Sequence, residues 1–173
     1  MRTAVLIDGS NFYFKLKDLS LQDQFKFDFS AFCKFISGEE PILCKYYIGA
    51  IKTDGTKKMN LLHATQQKLF SHLKKHGLTY ELGYLLKSDG RFHEKGVDVH
   101  MAVDLLVSTY ENQVDQIKLV SSDTDLIPAI KQVQKKGKKV EYVGFSHQPS
   151  VALVANCTSS RLLTKEDLQR FVL

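Results

Sequence analysis

"VLIDGSNFY" (residues 5–13) is the stretch on which the reading of the whole chain turns. An unbroken apolar run ends in Asp8, with Gly9 and Asn11 directly behind it. Residues 3–8 have the length and composition of a short strand buried on both faces, the kind found inside a parallel sheet. The residues behind the strand are ambiguous by themselves, because Asp-Gly is also an ordinary turn pair. Asp8 is therefore either the start of a turn or a carboxylate presented at the end of a buried strand, and the rest of the chain must decide.

Working outward, residues 9–27 form a polar-to-amphipathic stretch. Residues 28–37 place Phe29, Phe32, Phe35 and Ile36 on one helical face, closed by Gly38 to Pro41. A strand is expected over 42–51. Residues 58–76 put Met59, Leu62, Leu69, Phe70 and Leu73 on one side of a helix, with Gly77 where a C-terminal cap belongs. A strand over 78–86, a loop "KSDGRFHEKG" over 87–96 and a nearly all-apolar helix over 97–110 come next. Then come a buried strand over 116–122, a helix over 125–136 ending at Gly137, and a fifth strand over 138–145. A short helix near 149–156 and a last one opening at Thr164, with Asp167 at capping-box spacing, complete the chain. Five strands alternating with helices specify βαβ crossovers, a mainly parallel sheet and a three-layer α/β/α sandwich. Nothing reads as a linker or repeat, so residues 1–173 are expected to form a single domain.

Composition narrows the class. The chain has 173 residues, 43% of them hydrophobic, and 24 Lys+Arg against 19 Asp+Glu give a net charge of +5. That balance suits a polyanionic partner without requiring one. Cys33, Cys44 and Cys157 are odd in number and widely spaced, which argues against a disulfide framework and for a reducing compartment. No apolar stretch approaches a membrane span and no signal-peptide layout is present, so a cytoplasmic protein is expected.

In a βαβ fold the strand C-termini and the following helix N-termini meet along one edge of the sheet, where ligands collect as strand order reverses. Asp8, Asp98, Asp123 and Asp125 all fall on that edge. Carboxylates gathered there raise one another's pKa unless a cation neutralises them, and all-oxygen ligation favours Mg²⁺ or Mn²⁺. Taken singly each acid has a plainer role: Asp8 in a turn, Asp123 or Asp125 as an N-cap, Asp98 complementing a helix dipole. Jointly they point to a metal site, since "SSDTD" supplies two carboxylates where a cap needs one. Asp104 lies about 240° around the helix axis from Asp98, so it either pairs with a cation or faces solvent near His100, and ranks as a supporting residue. Lys95, Arg91 and Phe92, with Lys87 and His93, interleave charge and ring in the loop before Asp98, a mixture able to neutralise phosphates and stack a base. The alternative for that loop is simple solvation.

The segments "VLIDGSNFY", "KGVDVHMAVDLL" and "LVSSDTDLIPAIKQVQKKGKKVEYVGF" resemble the successive motifs of the NYN domain family, of PIN-like nuclease fold, and most of all its bacterial LabA-like branch. The resemblance covers essentially the whole chain. It implies a five-stranded sheet in the order 3-2-1-4-5, which makes the first and fourth strands neighbours and brings Asp8 beside Asp123. It implies metal-dependent ribonuclease chemistry, with Asp8, Asp98 and Asp123 at the acidic positions and Asn11, Ser122 and Asp125 at the polar positions beside them. PIN relatives commonly carry a glutamate on an early helix, and this sequence offers no clear equivalent between 12 and 40.

Two other classes stay open. A PIN-like module of weak or no catalytic activity would hold RNA or a protein without cutting. A phosphatase using Asp8 as nucleophile would want a second acid two residues on, where Ser10 stands. His72 and His76 have zinc-compatible i, i+4 spacing but lack a third ligand, and no phosphate-cradling glycine loop follows the first strand. RNA, most readily single-stranded, is the expected partner, with no membrane; a homodimer is compatible with the sequence and not specified by it.

Overall fold

The computed structural model describes residues 1–21 and 23–173. The elements run β1 (Thr3–Asp8), α1 (Gly9–Asp18), α2 (Phe29–Ser37), β2 (Leu43–Ala50), α3 (Lys57–Lys75), β3 (Thr79–Ser88), β4 (Arg91–Lys95), α4 (Val97–Tyr110), β5 (Gln116–Val120), α5 (Ile127–Lys135), β6 (Lys139–Phe145), α6 (Val151–Asn156), β7 (Ser159–Leu163) and α7 (Lys165–Gln169). Single 3-10 turns at Gln24–Lys26 and Thr124–Leu126 precede α2 and α5.

All strands join one sheet in the order β4-β3-β2-β1-β5-β6-β7. Every pairing is parallel except β3 with β4. β1 is buried from Thr3 to Ile7, as its apolar run demands, and its pleat feeds two cores. Val5 and Ile7 join Phe12 and Leu16 of α1, the buried side chains of α2, and Leu69, Phe70 and Leu73 of α3. Ala4 and Leu6 join Met101 and Leu105 of α4, Ile130 and Val133 of α5, and Leu153 of α6. The layers are therefore α1–α3 with α7 on one face and α4–α6 on the other. Chain order reverses between β1 and β5, since β1 leads outward to β2 and β3 while β5 leads the opposite way; that is where a ligand crevice opens in this architecture.

Among the described residues the sheet has seven strands and is mixed, which corrects the expectation of five strands in a mainly parallel sheet. The five expected strands do lie in the anticipated neighbour order, as β3-β2-β1-β5-β6, but each edge carries one more. On one edge, the segment expected as a loop over 87–96 is a hairpin: β3 runs on to Ser88 and turns at Asp89 and Gly90 into β4. Both turn residues have positive φ, 50° and 72°, the geometry for which Asp-Gly is selected in two-residue hairpins. β4 escapes a hydrophobicity-based reading because all five of its residues are exposed. On the other edge, β7 has only Leu163 fully buried and is equally inconspicuous. Residues 9–18, which carry no clear helical stripe, form α1.

Within the sheet, Lys118 of β5 and Glu141 of β6 are paired across the strands at 2.6 Å. Among the described residues, no helix is long and apolar enough to cross a membrane.

A candidate acidic site at the sheet edge

β1 ends at Asp8, and the chain turns at once into α1. Asp8 caps that helix, its Oδ1 accepting the backbone N–H of Asn11 at 3.1 Å. Its Oδ2 accepts the hydroxyl of Ser121, at the end of the neighbouring strand, at 3.1 Å. The next residue must be glycine: a Cβ on Gly9 would lie 2.6 Å from the Tyr47 carbonyl oxygen and collide with the Tyr46 ring. The Asp-Gly pair thus serves a close backbone approach, not a turn, and it aims the carboxylate along the sheet edge.

A cleft of about 230 Å³ lies there, lined by Asp8, Glu94, Lys95, Val97, Asp98 and Asp123. β1 supplies Asp8, the segment after β5 supplies Asp123, the first turn of α4 supplies Asp98 and the hairpin supplies Glu94. Asp98, Asp123 and Asp125 each place one carboxylate oxygen within 4.8 Å of the others, close enough to share a cation. Asp123 also caps its 3-10 turn, accepting the Asp125 N–H at 2.9 Å. For Asp123 the capping and clustering readings are therefore simultaneously true. Asp8 lines the cleft without belonging to that trio.

Electrostatics set Asp8 apart. Burial pushes its carboxyl up to about 6; the bonds from Asn11 and Ser121 hold it down in part, and the negative charges of Glu94 and Asp123 add to the rise. A carboxylate so placed is stabilised by a nearby cation more than an exposed one would be. Two buried side-chain oxygens, Asn11 Oδ1 and Ser122 Oγ, find no hydrogen-bond partner among the described residues, and both lie close in sequence to acids of the cleft. Buried polar atoms are normally satisfied, so these two fit a site that takes water or a cation. The donor set is all oxygen and anionic, which suits a hard divalent ion such as Mg²⁺ or Mn²⁺.

Glu94 is the residue that sequence reasoning missed. Its Oε2 accepts Ser10 Oγ at 2.8 Å and the Gly49 N–H at 3.0 Å. A Cβ on Gly49 would lie 3.0 Å from Glu94 Cγ, so the glycine makes room for the glutamate. The findable signal was Asp89-Gly90: reading it as a hairpin turn makes 91–95 a strand whose register puts Glu94 opposite Leu85.

The other candidates divide. Lys95 lines the cleft, whereas Arg91 and Phe92 stand exposed on β4, with the Lys87 ammonium 5.9 Å from the Phe92 ring centre. Asp104 is held elsewhere: it receives the Tyr47 hydroxyl at 2.6 Å and the Lys45 ammonium at 2.7 Å, pinning α4 to β2. His72 and His76 are half-buried and tie α3 to the start of α2 through the Phe27 carbonyl (2.8 Å) and Asp28 (3.1 Å).

A sheet that reverses order above a cleft of carboxylates from separate segments defines an α/β protein with an acidic group able to hold a metal ion. A sequence model of the NYN domain matches residues 2–163. The chain belongs to the NYN domain family, a family of PIN-like nucleases whose domains act on RNA. An uncharacterized protein of Methanocaldococcus jannaschii is 40% identical over 57 residues, which is 33% of this chain and 24% of that protein's length. A crystal structure of a Vibrio parahaemolyticus protein of unknown function superposes with a TM-score of 0.62 at 22% identity, covering 94% of this chain and 92% of that one. That likeness is one of fold.

Proposed function

We propose that the protein is a metal-dependent endoribonuclease that hydrolyses RNA phosphodiester bonds at the acidic cleft, with residues 1–173 acting as one domain. The observation that carries this reading is the convergence of Asp98, Asp123 and Asp125 within 4.8 Å in a member of a nuclease family. Asp98, Asp123 and Asp125 would hold a Mg²⁺ or Mn²⁺ ion, with Asp8 lining the same cleft. When bound, that ion supplies Lewis-acid chemistry for phosphodiester hydrolysis. Asp8, anchored by Asn11 and Ser121, keeps its carboxylate oriented and adds negative potential that attracts the cation. Glu94, in the same cleft, is held in place by accepting the Ser10 hydroxyl and the Gly49 N–H. Lys95 meets the phosphate backbone at the rim, and Arg91 and Phe92 extend the contact along the hairpin, an arrangement suited to single-stranded RNA.

The test is cleavage of end-labelled single-stranded RNA with Mn²⁺ or Mg²⁺, with EDTA, and with Asp123→Asn protein. Internal cuts that vanish in EDTA and fall on the order of 100-fold in the variant are expected. RNA that is bound yet never cut under any divalent ion would replace this reading with that of a binding module.

A further inference from the structure

Phe12 and Phe27 are completely buried, yet Phe14 is 58% exposed and Phe25, two residues before Phe27, is 42% exposed. Leu62, on the apolar side of α3, is 40% exposed. These three residues share one groove of about 420 Å³, lined also by Ser10, Tyr13 and Gln24. The Tyr13 and Phe14 rings meet edge to face, 5.4 Å between centres. The Gln24 carboxamide oxygen accepts the buried Tyr46 hydroxyl at 2.9 Å, so its NH₂ is the part left to meet an incoming polar edge.

The groove is not isolated from the acidic cleft. Ser10 lines the groove, and its hydroxyl donates to Glu94, which lines the cleft. One hydrogen-bonded pair of side chains thus joins the lining of an apolar, aromatic slot to that of the carboxylate cleft. A ligand spanning both must carry an anionic or metal-seeking group next to a flat, largely apolar ring with a polar rim. A nucleotide within a strand has that form, and stacking on aromatic side chains is tolerant of which base is presented.

We propose that this groove is a nucleobase subsite, in which Phe14, Phe25 and Tyr13 receive a base of the RNA strand whose phosphate lies in the acidic cleft, with the Gln24 amide meeting the base edge. The inference rests on the ribonuclease reading for its ligand, but its test does not depend on cleavage. With Ca²⁺ in place of Mg²⁺ or Mn²⁺, fluorescence anisotropy is measured with a short labelled single-stranded oligouridylate and with a matched oligomer of abasic sugars. The proteins are wild type and Phe14→Ala/Phe25→Ala, both substitutions lying at exposed positions that the core does not use. The double variant is expected to bind the base-bearing oligomer about 10-fold or more weakly while binding the abasic one as wild type does. Gln24→Ala should change the preference among the four homopolymers. Equal losses on both oligomers, or no loss on either, overturn the subsite. Failure of the ribonuclease reading shows separately, as absence of divalent-dependent cutting by wild-type protein.

Discussion

Replacing Asp8 by asparagine removes a carboxylate of the acidic cleft that burial makes costly to ionise. Burial and the neighbouring acids raise this carboxyl from about 3.8 to about 6 in the folded protein. The folded state therefore holds its proton more tightly than the unfolded chain does. The stabilisation from that proton is fully present below about pH 4 and is lost as pH rises through about 6. At pH 7.5 without metal, the ionised carboxylate costs the fold about 3 kcal/mol, from roughly two pH units at 1.36 kcal/mol each. The substitution removes the charge and keeps an oxygen to cap Asn11, while the Ser121 hydroxyl can rotate to accept from the new amide. Asp8→Asn is thus expected to stabilise the metal-free protein at pH 7.5 by about 1–3 kcal/mol, a rise of about 4–8 °C in melting temperature for a 2 kcal/mol gain in a chain of this size. At pH 4 the two proteins should melt together. Added Mn²⁺ should raise the wild-type melting temperature, because a ligand that binds only the folded state stabilises it by mass action, and should raise that of the variant less. Urea or thermal unfolding across pH 4–8, in EDTA and again with Mn²⁺ in place of EDTA, followed by circular dichroism, measures all of this. A variant less stable than wild type at pH 7.5, with an unchanged pH profile, would refute the claim that Asp8 is held ionised against its surroundings.

Two further substitutions probe the scaffold that aims the site. Lys118→Met removes the 2.6 Å partner of Glu141, leaving Arg161 at 3.8 Å, and is expected to cost about 3 kcal/mol, whereas a combined Lys118→Met/Glu141→Leu protein should recover most of that; equal losses in the two, measured by urea unfolding, would contradict it. Gly9→Ala forces a methyl toward the Tyr47 carbonyl and is expected to destabilise by about 1–3 kcal/mol while weakening Mn²⁺ binding in calorimetry, since Asp8 must move with the backbone. A fully stable Gly9→Ala protein with wild-type metal affinity would show that the close approach is not needed.

How much of the molecule was legible beforehand depended on how each element announces itself. β1 carries an unbroken apolar run and α2 and α3 carry apolar stripes, because the faces of the sheet are covered. The gathering of Asp8, Asp98 and Asp123 follows from topology alone, since acids at the ends of parallel strands and the starts of following helices share an edge. Glu94 was invisible for the opposite reason: β4 is an edge strand with exposed residues throughout, held by backbone pairing and a turn, so hydrophobic periodicity has nothing to report. Asp104 could not be settled from its helical angle, because its Lys45 and Tyr47 partners lie on a different strand. The groove was hidden too, for Leu62 and Phe14 have the residue types of a core and only the packing shows that they stay exposed.

At the centre of the proposed chemistry is a cation held among carboxylates that come from separate parts of the chain. A crystal soaked in Mn²⁺ and measured for anomalous scattering tests this directly. The predicted result is a peak in the cleft bonded to Asp98 and Asp123, absent from the Asp98→Asn/Asp123→Asn protein. A wild-type crystal with no peak in the cleft, or with manganese only at other surfaces, would contradict it.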